Sequence, residues 1–273
     1  MPEGPEVKTV AKTLFKRLGG KELGSLWHSH LPLRRHVDYG ALRRLENSII
    51  DGISTHGKVL FFSVNHKTAI MAQLGMTGQL KVQEIDEPLL PHTHLRWQLK
   101  RSNFEIRYVD PRRFGLIDAC DEDLKARIIK KLGPDPFSLQ REDFLTIASS
   151  MARSSRAIKE VLLDQKVIAG VGNIYASEAL YKAGIHPLRA ASLITKNEQE
   201  KLIIAVIEIL NKAFENSGTS FSNYVDGDGQ KGNNQAFLQV FQRESLPCMS
   251  CKTPIERIKQ GGRSTFFCPS CQK

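Results

Sequence analysis

Four cysteines near the end of the 273-residue chain stand as two short pairs, Cys248-Met-Ser-Cys251 and Cys268-Pro-Ser-Cys271, with sixteen residues between Cys251 and Cys268. Two such knuckles match a tetrahedral zinc ion in which each knuckle supplies two thiolates and the intervening chain forms a hairpin. The competing chemistry is a pair of disulfides or a redox pair, but nothing in the sequence suggests an oxidising compartment. A closed four-sulfur site folds its segment and performs no chemistry itself. The hairpin is basic: Lys252, Arg257, Lys259, Arg263 and Lys273 outweigh the lone Glu256, and Gly261-Gly262 sets Arg263 at a sharp turn.

A second group with chemical capacity lies at the other end. If Met1 is removed, Pro2 carries a free secondary amine beside two carboxylates, Glu3 and Glu6. A model terminal amine titrates near ~8 and a lysine near ~10.4, so at pH 7 about one terminus in ten is neutral against roughly one lysine in a few thousand. A proline terminus is more basic than the model, which narrows the gap. A secondary amine condenses with a carbonyl carbon to a permanently charged iminium, an electron sink that acidifies the adjacent carbon. Glu3, as a proton donor, must act in its protonated form. Burial near Glu6 favours that form and the neighbouring ammonium opposes it.

The remaining candidates sit in loops. Lys58 lies in His56-Gly57-Lys58, Met76 in Leu74-Gly75-Met76-Thr77-Gly78, and Asp110-Pro111-Arg112-Arg113-Phe114-Gly115 joins phosphate-pairing guanidiniums to an aromatic able to wedge between bases. Ile168-Ala-Gly170-Val-Gly172-Asn173 is a glycine-bearing turn at a helix start, suited either to a phosphate or to a tight helix–helix connection. Cys120 reads as a small core residue.

These groups need elements to hold them. Val7, Val10, Ala11, Leu14, Phe15 and Leu18 form one stripe, predicting an amphipathic helix over 5–18, opened by Pro5 and stopped by Gly19-Gly20. Short apolar runs at 59–64, 69–74, 94–99 and 104–109 predict strands of a sheet-on-sheet sandwich or flattened barrel. Leu132-Gly-Pro-Asp-Pro136 reads as a linker, and beyond it the pattern is helical. Helices are expected over 157–165, from an Asn173 cap to about Lys182, and from a Thr195/Glu198 capping box to Gly218. Residues 218–235, rich in Gly, Asn, Asp and Ser, read as a mobile loop, a lid over a ligand in preference to a tether. No internal repeat, low-complexity tract or Walker-type loop is present.

The expected fold is α+β and multidomain: an N-terminal helix plus β-sandwich over 1–131, a linker over 132–147, a helical domain over 148–235 and a four-cysteine zinc finger over 236–273. The net charge is +10 with a pI near 9.4, and four thiolates with one zinc ion leave +8. Such a surplus points to a polyanion, most often nucleic acid. No apolar run approaches a membrane span and the start is no signal peptide, so a soluble cytoplasmic protein is expected.

Five stretches, Pro2-Glu3-Gly4-Pro5-Glu6-Val7, Asp110 to Gly115, Leu132 to Pro136, Gly170-Val-Gly-Asn-Ile-Tyr-Ala-Ser-Glu178 and the zinc segment, together resemble the formamidopyrimidine-DNA glycosylases. The resemblance implies a helix-two-turn-helix module between sandwich and finger, and excision of oxidised purines from duplex DNA with β,δ-elimination at the sugar. It implies Pro2 as nucleophile, Glu3 as proton donor, Lys58 in β-elimination and Arg263 in δ-elimination and phosphate clamping. His92, Arg112, Arg113, Arg153 and Asn173 would bind DNA, with Met76, Arg112 and Phe114 filling the gap left by the lesion. One structural zinc, no small-molecule cofactor, damaged duplex DNA as partner, a monomeric state and nucleoid association complete the expectation. Gly4 stands where the family commonly has leucine and is similar to endonuclease VIII, which removes oxidised pyrimidines. Phe241-Gln242-Arg243 departs from the family's tyrosine-glycine-arginine, whereas Asp110 to Gly115 and Asp226-Gly-Asp-Gly229 favour the purine enzyme. A zinc-ribbon protein that binds nucleic acid without chemistry is the competing class.

Overall fold

A computed structural model describes residues 2–221 and 224–273. The chain divides into two compact units, residues 1–130 with 216–233, and residues 131–215 with 234–273.

The first unit opens with α1 (Gly4–Leu18), where Glu3 and Glu6 form a reciprocal capping box and Pro5 lies in the first turn. Its apolar stripe is buried except for Phe15, which stands 42% exposed, and the helix packs on β2 and β3. After β1 (Leu23–His28) and the short α2 (Tyr39–Arg43) come β2 (Ile50–His56), β3 (Val59–Val64), β4 (Lys67–Gln73), β5 (Gln79–Glu84), β6 (Thr93–Leu99), β7 (Phe104–Val109) and β8 (Leu116–Ala119). They form two four-stranded antiparallel sheets, ordered β1-β6-β7-β5 and β2-β3-β4-β8. The four strands expected from apolar runs are present with ends shifted by up to two residues. Of the other four, β1 and β2 are broken by a bulge and β5 alternates buried with partly exposed positions, while β8 is only four residues long, too short to show a run.

Two arginines stabilise the first sheet from inside. Arg107 is fully buried, donating to Glu105 and to the carbonyls of Glu84, Glu87 and Pro88, and Arg96 donates to the same Glu105 at 2.8 Å. The two guanidiniums share the Glu105 carboxylate, and the carbonyls satisfy the remaining Arg107 donors while Arg96 keeps partial access to water, which is what makes the burial tolerable. α3 (Glu122–Lys130) closes the continuous part of this unit.

In the second unit, the stretch read as a linker is docked. Gly133 donates to the Gln165 carbonyl at 2.8 Å, Ala169 donates to that of Pro134 at 2.9 Å, and a Cβ on Gly133 would lie 2.5 Å from the Val167 backbone. α4 (Arg141–Ala152) begins inside the expected 132–147 linker, because Asp143 reaches back to cap Gln140. α5 (Ile158–Leu163), α6 (Asn173–Ala183) and α7 (Lys196–Glu215) follow, with Leu162, Tyr175, Leu180, Leu202, Val206 and Leu210 in one core. Gly184 ends α6 in the left-handed region at φ +73. The Thr195/Glu198 box opens α7 as expected. The last strands, β9 (Glu256–Gln260) and β10 (Arg263–Phe267), form a hairpin through Gly261 and Gly262, both at positive φ. Its small core holds Val240, Ile255 and Phe266.

Candidate functional site

At the start of α1, Pro2, Glu3 and Glu6 are all buried, the two carboxylates at 3% and 1% exposure. Glu6 Oε2 accepts the Glu3 N–H at 2.7 Å and Oε1 accepts the Thr219 N–H at 2.8 Å. The Tyr224 hydroxyl donates to the Glu6 carbonyl at 3.4 Å, and burial together with the Glu6 charge raises its pKa. Glu6 therefore fixes the backbone one residue from Pro2 and holds the 216–233 segment to the same helix. Met1, whose removal exposes the amine, lies outside the described residues, as do Ser222 and Asn223 of the expected lid.

That lid differs from the sequence expectation of a mobile loop within the helical domain. Residues 216–233 belong to the first unit. Beyond Glu6, Gly227 donates to Thr13 Oγ1 at 2.8 Å, Val82 donates to the Gly227 carbonyl at 3.1 Å, and Arg17 pairs with Asp228 at 3.2 Å. Gly218, at φ +80, has no room for a side chain: a Cβ would stand 2.8 Å from Glu6 Oε1. Polar composition marked the segment as loop, but its partners lie some two hundred residues away, where local pattern is silent.

Lys58 is half-buried and forms with Gly57 the two-residue turn of the β2–β3 hairpin, Gly57 at φ +57. Asp110 organises a separate cluster. Fully buried, it accepts from the Thr77 hydroxyl, the Tyr108 hydroxyl at 3.2 Å and the Gly115 N–H at 2.8 Å. Burial lowers the pKa of His94, so its neutral ring donates Nε2–H to the Asp110 carbonyl at 3.0 Å, leaving Nδ1 to accept from Ser29. This lock seats the Met76 loop against the Phe114 loop so closely that a Cβ on Gly75 would meet the Phe114 backbone at 2.7 Å. Met76 and Phe114 stand 42% and 44% exposed, with the Arg112 guanidinium 4.6 Å above the Phe114 ring. Arg113 holds φ +56 and His92 φ +65, and both are exposed. The Asp110 N–H donates to the His92 carbonyl at 3.0 Å.

In the second unit Asn173 is not the cap expected from sequence. Gly172 takes that position, and Asn173 is the first helical residue. Its side chain instead donates to the Ser264 carbonyl at 2.9 Å and accepts from Lys159 at 2.8 Å. Lys159, 1% exposed, also donates to Thr265 Oγ1 at 2.7 Å. Asn173 and the hairpin that carries the exposed Arg263 are thus tied together. Sequence reading passed over Lys159, because a lysine beside apolar residues carries no signal of its burial. Gln165 braces the glycine turn, accepting from Gly170 and donating to Val171. Arg153 ends α4, exposed and away from any regular pattern.

The cysteine sulfurs of 248, 251, 268 and 271 lie within 4.8 Å of one another, two pairs at 3.9 and 3.4 Å. Zinc–sulfur bonds of ~2.3 Å in a tetrahedron require sulfurs about 3.8 Å apart, whereas a disulfide needs ~2.05 Å. The set fits zinc. Tyr181 supports it, with its hydroxyl 3.2 Å from Cys248 Sγ and 2.9 Å from Ser250. Cys120 is buried, its thiol pushed up to about 11 by desolvation, consistent with a core role.

Three family models match the chain: the formamidopyrimidine-DNA glycosylase N-terminal domain over residues 1–117, its H2TH domain over 132–224, and the zinc finger found in FPG and IleRS over 245–273. The finger carries one structural zinc ion. A formamidopyrimidine-DNA glycosylase of Desulforamulus reducens is 37% identical over 279 residues, spanning 100% of this chain and 99% of that protein. Among solved structures, the Lactococcus lactis Fpg bound to DNA with an abasic site superposes with a TM-score of 0.90 at 33% identity, covering 99% of each chain. MutM in complex with DNA containing carbocyclic 8-oxo-G superposes at 0.89 and 33% identity, over 100% of each. Full-length identity, matching domain order and a fitting four-thiolate cluster establish that this chain belongs to the formamidopyrimidine-DNA glycosylase family.

Proposed function

We propose that the protein excises oxidised purines, 8-oxoguanine and formamidopyrimidines, from duplex DNA and then cleaves the strand at the abasic sugar. The observation that carries this reading is the buried Pro2-Glu3 start of α1, held by Glu6. The Pro2 nitrogen attacks C1′ and the glycosidic electrons leave with the base. The proton that the attacking Pro2 nitrogen sheds neutralises the departing base and restores the nitrogen lone pair. A proton from Glu3 to O4′ then opens the sugar as that lone pair forms the iminium at C1′. That cation acidifies C2′, so loss of a C2′ proton expels the 3′ phosphate, with Lys58 serving this step. Expulsion of the 5′ phosphate follows, with Arg263 binding phosphate. His92, Arg113, Arg153 and Asn173 hold the backbone, and Met76, Arg112 and Phe114 occupy the space vacated by the flipped nucleotide, offsetting an unstacking cost of a few kcal/mol.

The protein acts as a monomer on damaged DNA at the nucleoid without a small-molecule cofactor. No described helix is long and apolar enough to cross a membrane. Borohydride reduction on duplex DNA containing 8-oxoguanine tests the reading. A covalent adduct on Pro2 is expected, and a nucleic-acid binder without chemistry gives none. Gly4, buried at the first turn of α1, favours one second reading, an endonuclease VIII-like preference for oxidised pyrimidines. Excision of 8-oxoguanine faster than thymine glycol under identical conditions decides for purines.

A further inference from the structure

Residues 29–37 run from the end of β1 as an exposed strap that lies on the Arg112–Gly115 turn. Leu33 and Val37 bury their side chains at 7% and 5% exposure and anchor the strap, while Arg34 and Arg35 between them remain exposed. Two hydrogen bonds fix its register: Arg34 N–H donates to the Arg113 carbonyl at 3.1 Å, and Arg113 donates from its guanidinium to the Pro32 carbonyl at 3.2 Å. The Arg34 guanidinium lies 5.8 Å from the Phe114 ring centroid, with Arg112 at 4.6 Å from the same ring.

Three arginines elsewhere in this unit, Arg17, Arg96 and Arg107, each meet a carboxylate. The exposed Arg43, Arg44, Arg101 and Arg127, like the strap, form no ion pair among the described residues, but they carry no neighbouring exposed aromatic wedge of the kind Phe114 provides. Among the described residues no ion pair involves Arg34, Arg35, Arg112 or Arg113. The acids on the same segments are engaged by other donors, Asp110 by Thr77, Tyr108 and Gly115, and Asp38 by the Ala41 N–H. Two guanidiniums over one exposed aromatic, with Arg35 and Arg113 adjoining them in the chain and none of the four in an ion pair, concentrate positive charge that a polyanion would relieve.

We propose that Arg34 and Arg35 are a phosphate-binding arm that grips the DNA backbone beside the Phe114 wedge. The inference rests on the duplex-DNA reading above and extends the binding surface to a segment that no sequence motif marks. Arg34 contributes twice, as a phosphate donor and as a cation over the wedge ring, whereas Arg35 contributes charge alone.

The test is the salt dependence of binding to a duplex that contains a stable tetrahydrofuran abasic analogue. Each neutralised phosphate contact contributes about 0.9 to the slope of log affinity against log salt. Arg34→Ala and Arg35→Ala should each lower the wild-type slope by about 0.9 and the double variant by about 1.8, while the double lysine variant keeps it. Thermal melting confirms that the exposed substitutions leave the fold intact. An unchanged slope in the double alanine variant overturns the proposal. An equal loss in Lys130→Ala/Lys131→Ala, a pair of exposed lysines of the same charge, also overturns it by showing a general charge effect. If the wild-type protein binds no duplex at low salt, the functional reading fails, and not merely the arm.

Discussion

Glu6 and Thr219 are 213 residues apart in the chain and joined by a 2.8 Å hydrogen bond between a buried carboxylate and a backbone N–H. The other oxygen of the same carboxylate holds the Glu3 N–H. One side chain thus sets both the backbone next to the candidate nucleophile and the root of the loop above it. Glu6→Gln puts an amide NH2 against one of these two N–H donors, leaving it without an acceptor. A loss of about 1–3 kcal/mol in stability is expected from urea unfolding. Gly218→Ala should destabilise by a comparable amount, since it adds both a contact with Glu6 and a left-handed alanine.

Pro2→Gly should lose most of the strand-cleaving activity, since a primary amine gives an imine that must be protonated before it can act as an electron sink. Glu3→Gln removes the proton donor at a site buried from water and should abolish ring opening. Product analysis on abasic duplex reads both. Wild-type cleavage by Pro2→Gly would remove the amine from the mechanism.

Lys159→Met is close to isosteric along its stem but takes the donor from Asn173 Oδ1 and Thr265 Oγ1. Stability should fall by about 1–3 kcal/mol. DNA affinity should fall with it, as Asn173 and the Arg263 hairpin lose their common tie. Unaltered unfolding and binding curves would show the ammonium to be dispensable.

Glu198 is held at a pKa of about 2, first by its hydrogen bonds from Arg189 and then by the Thr195 N–H. A carboxylate depressed in the folded state stabilises fully above its unfolded pKa, about 4.3, and loses that contribution as pH falls toward 2. Wild type should therefore lose more stability than Glu198→Gln between pH 6 and pH 3, as read by urea midpoints. Parallel curves would place the acid sensitivity elsewhere.

Chelation should unfold the Cys248–Cys271 segment and release one zinc ion per chain. Tyr181, Val240 and Phe266 would lose their packing partners, and DNA binding would drop as Arg263 lost its fixed turn. Full binding after verified zinc loss would deny the finger a part in recognition.

The amino-acid sequence alone determined what short-range chemistry can encode. The spacing of Cys248, Cys251, Cys268 and Cys271 set the metal site, the 3.6-residue stripe from Val7 to Leu18 set the buried helix behind Pro2, and Gly261-Gly262 set the hairpin turn below Arg263. In each, the partners are near neighbours in the chain, so type and spacing suffice. Tertiary structure decided the rest: that 216–233 docks on α1, that Asn173 ties a strand instead of capping its helix, that Lys159 is buried, and that Arg34 lies on Phe114. These depend on single polar groups meeting across long separations. A hydrogen bond between residues two hundred positions apart leaves no periodicity, because one donor and one acceptor carry direction and distance but no repeating pattern.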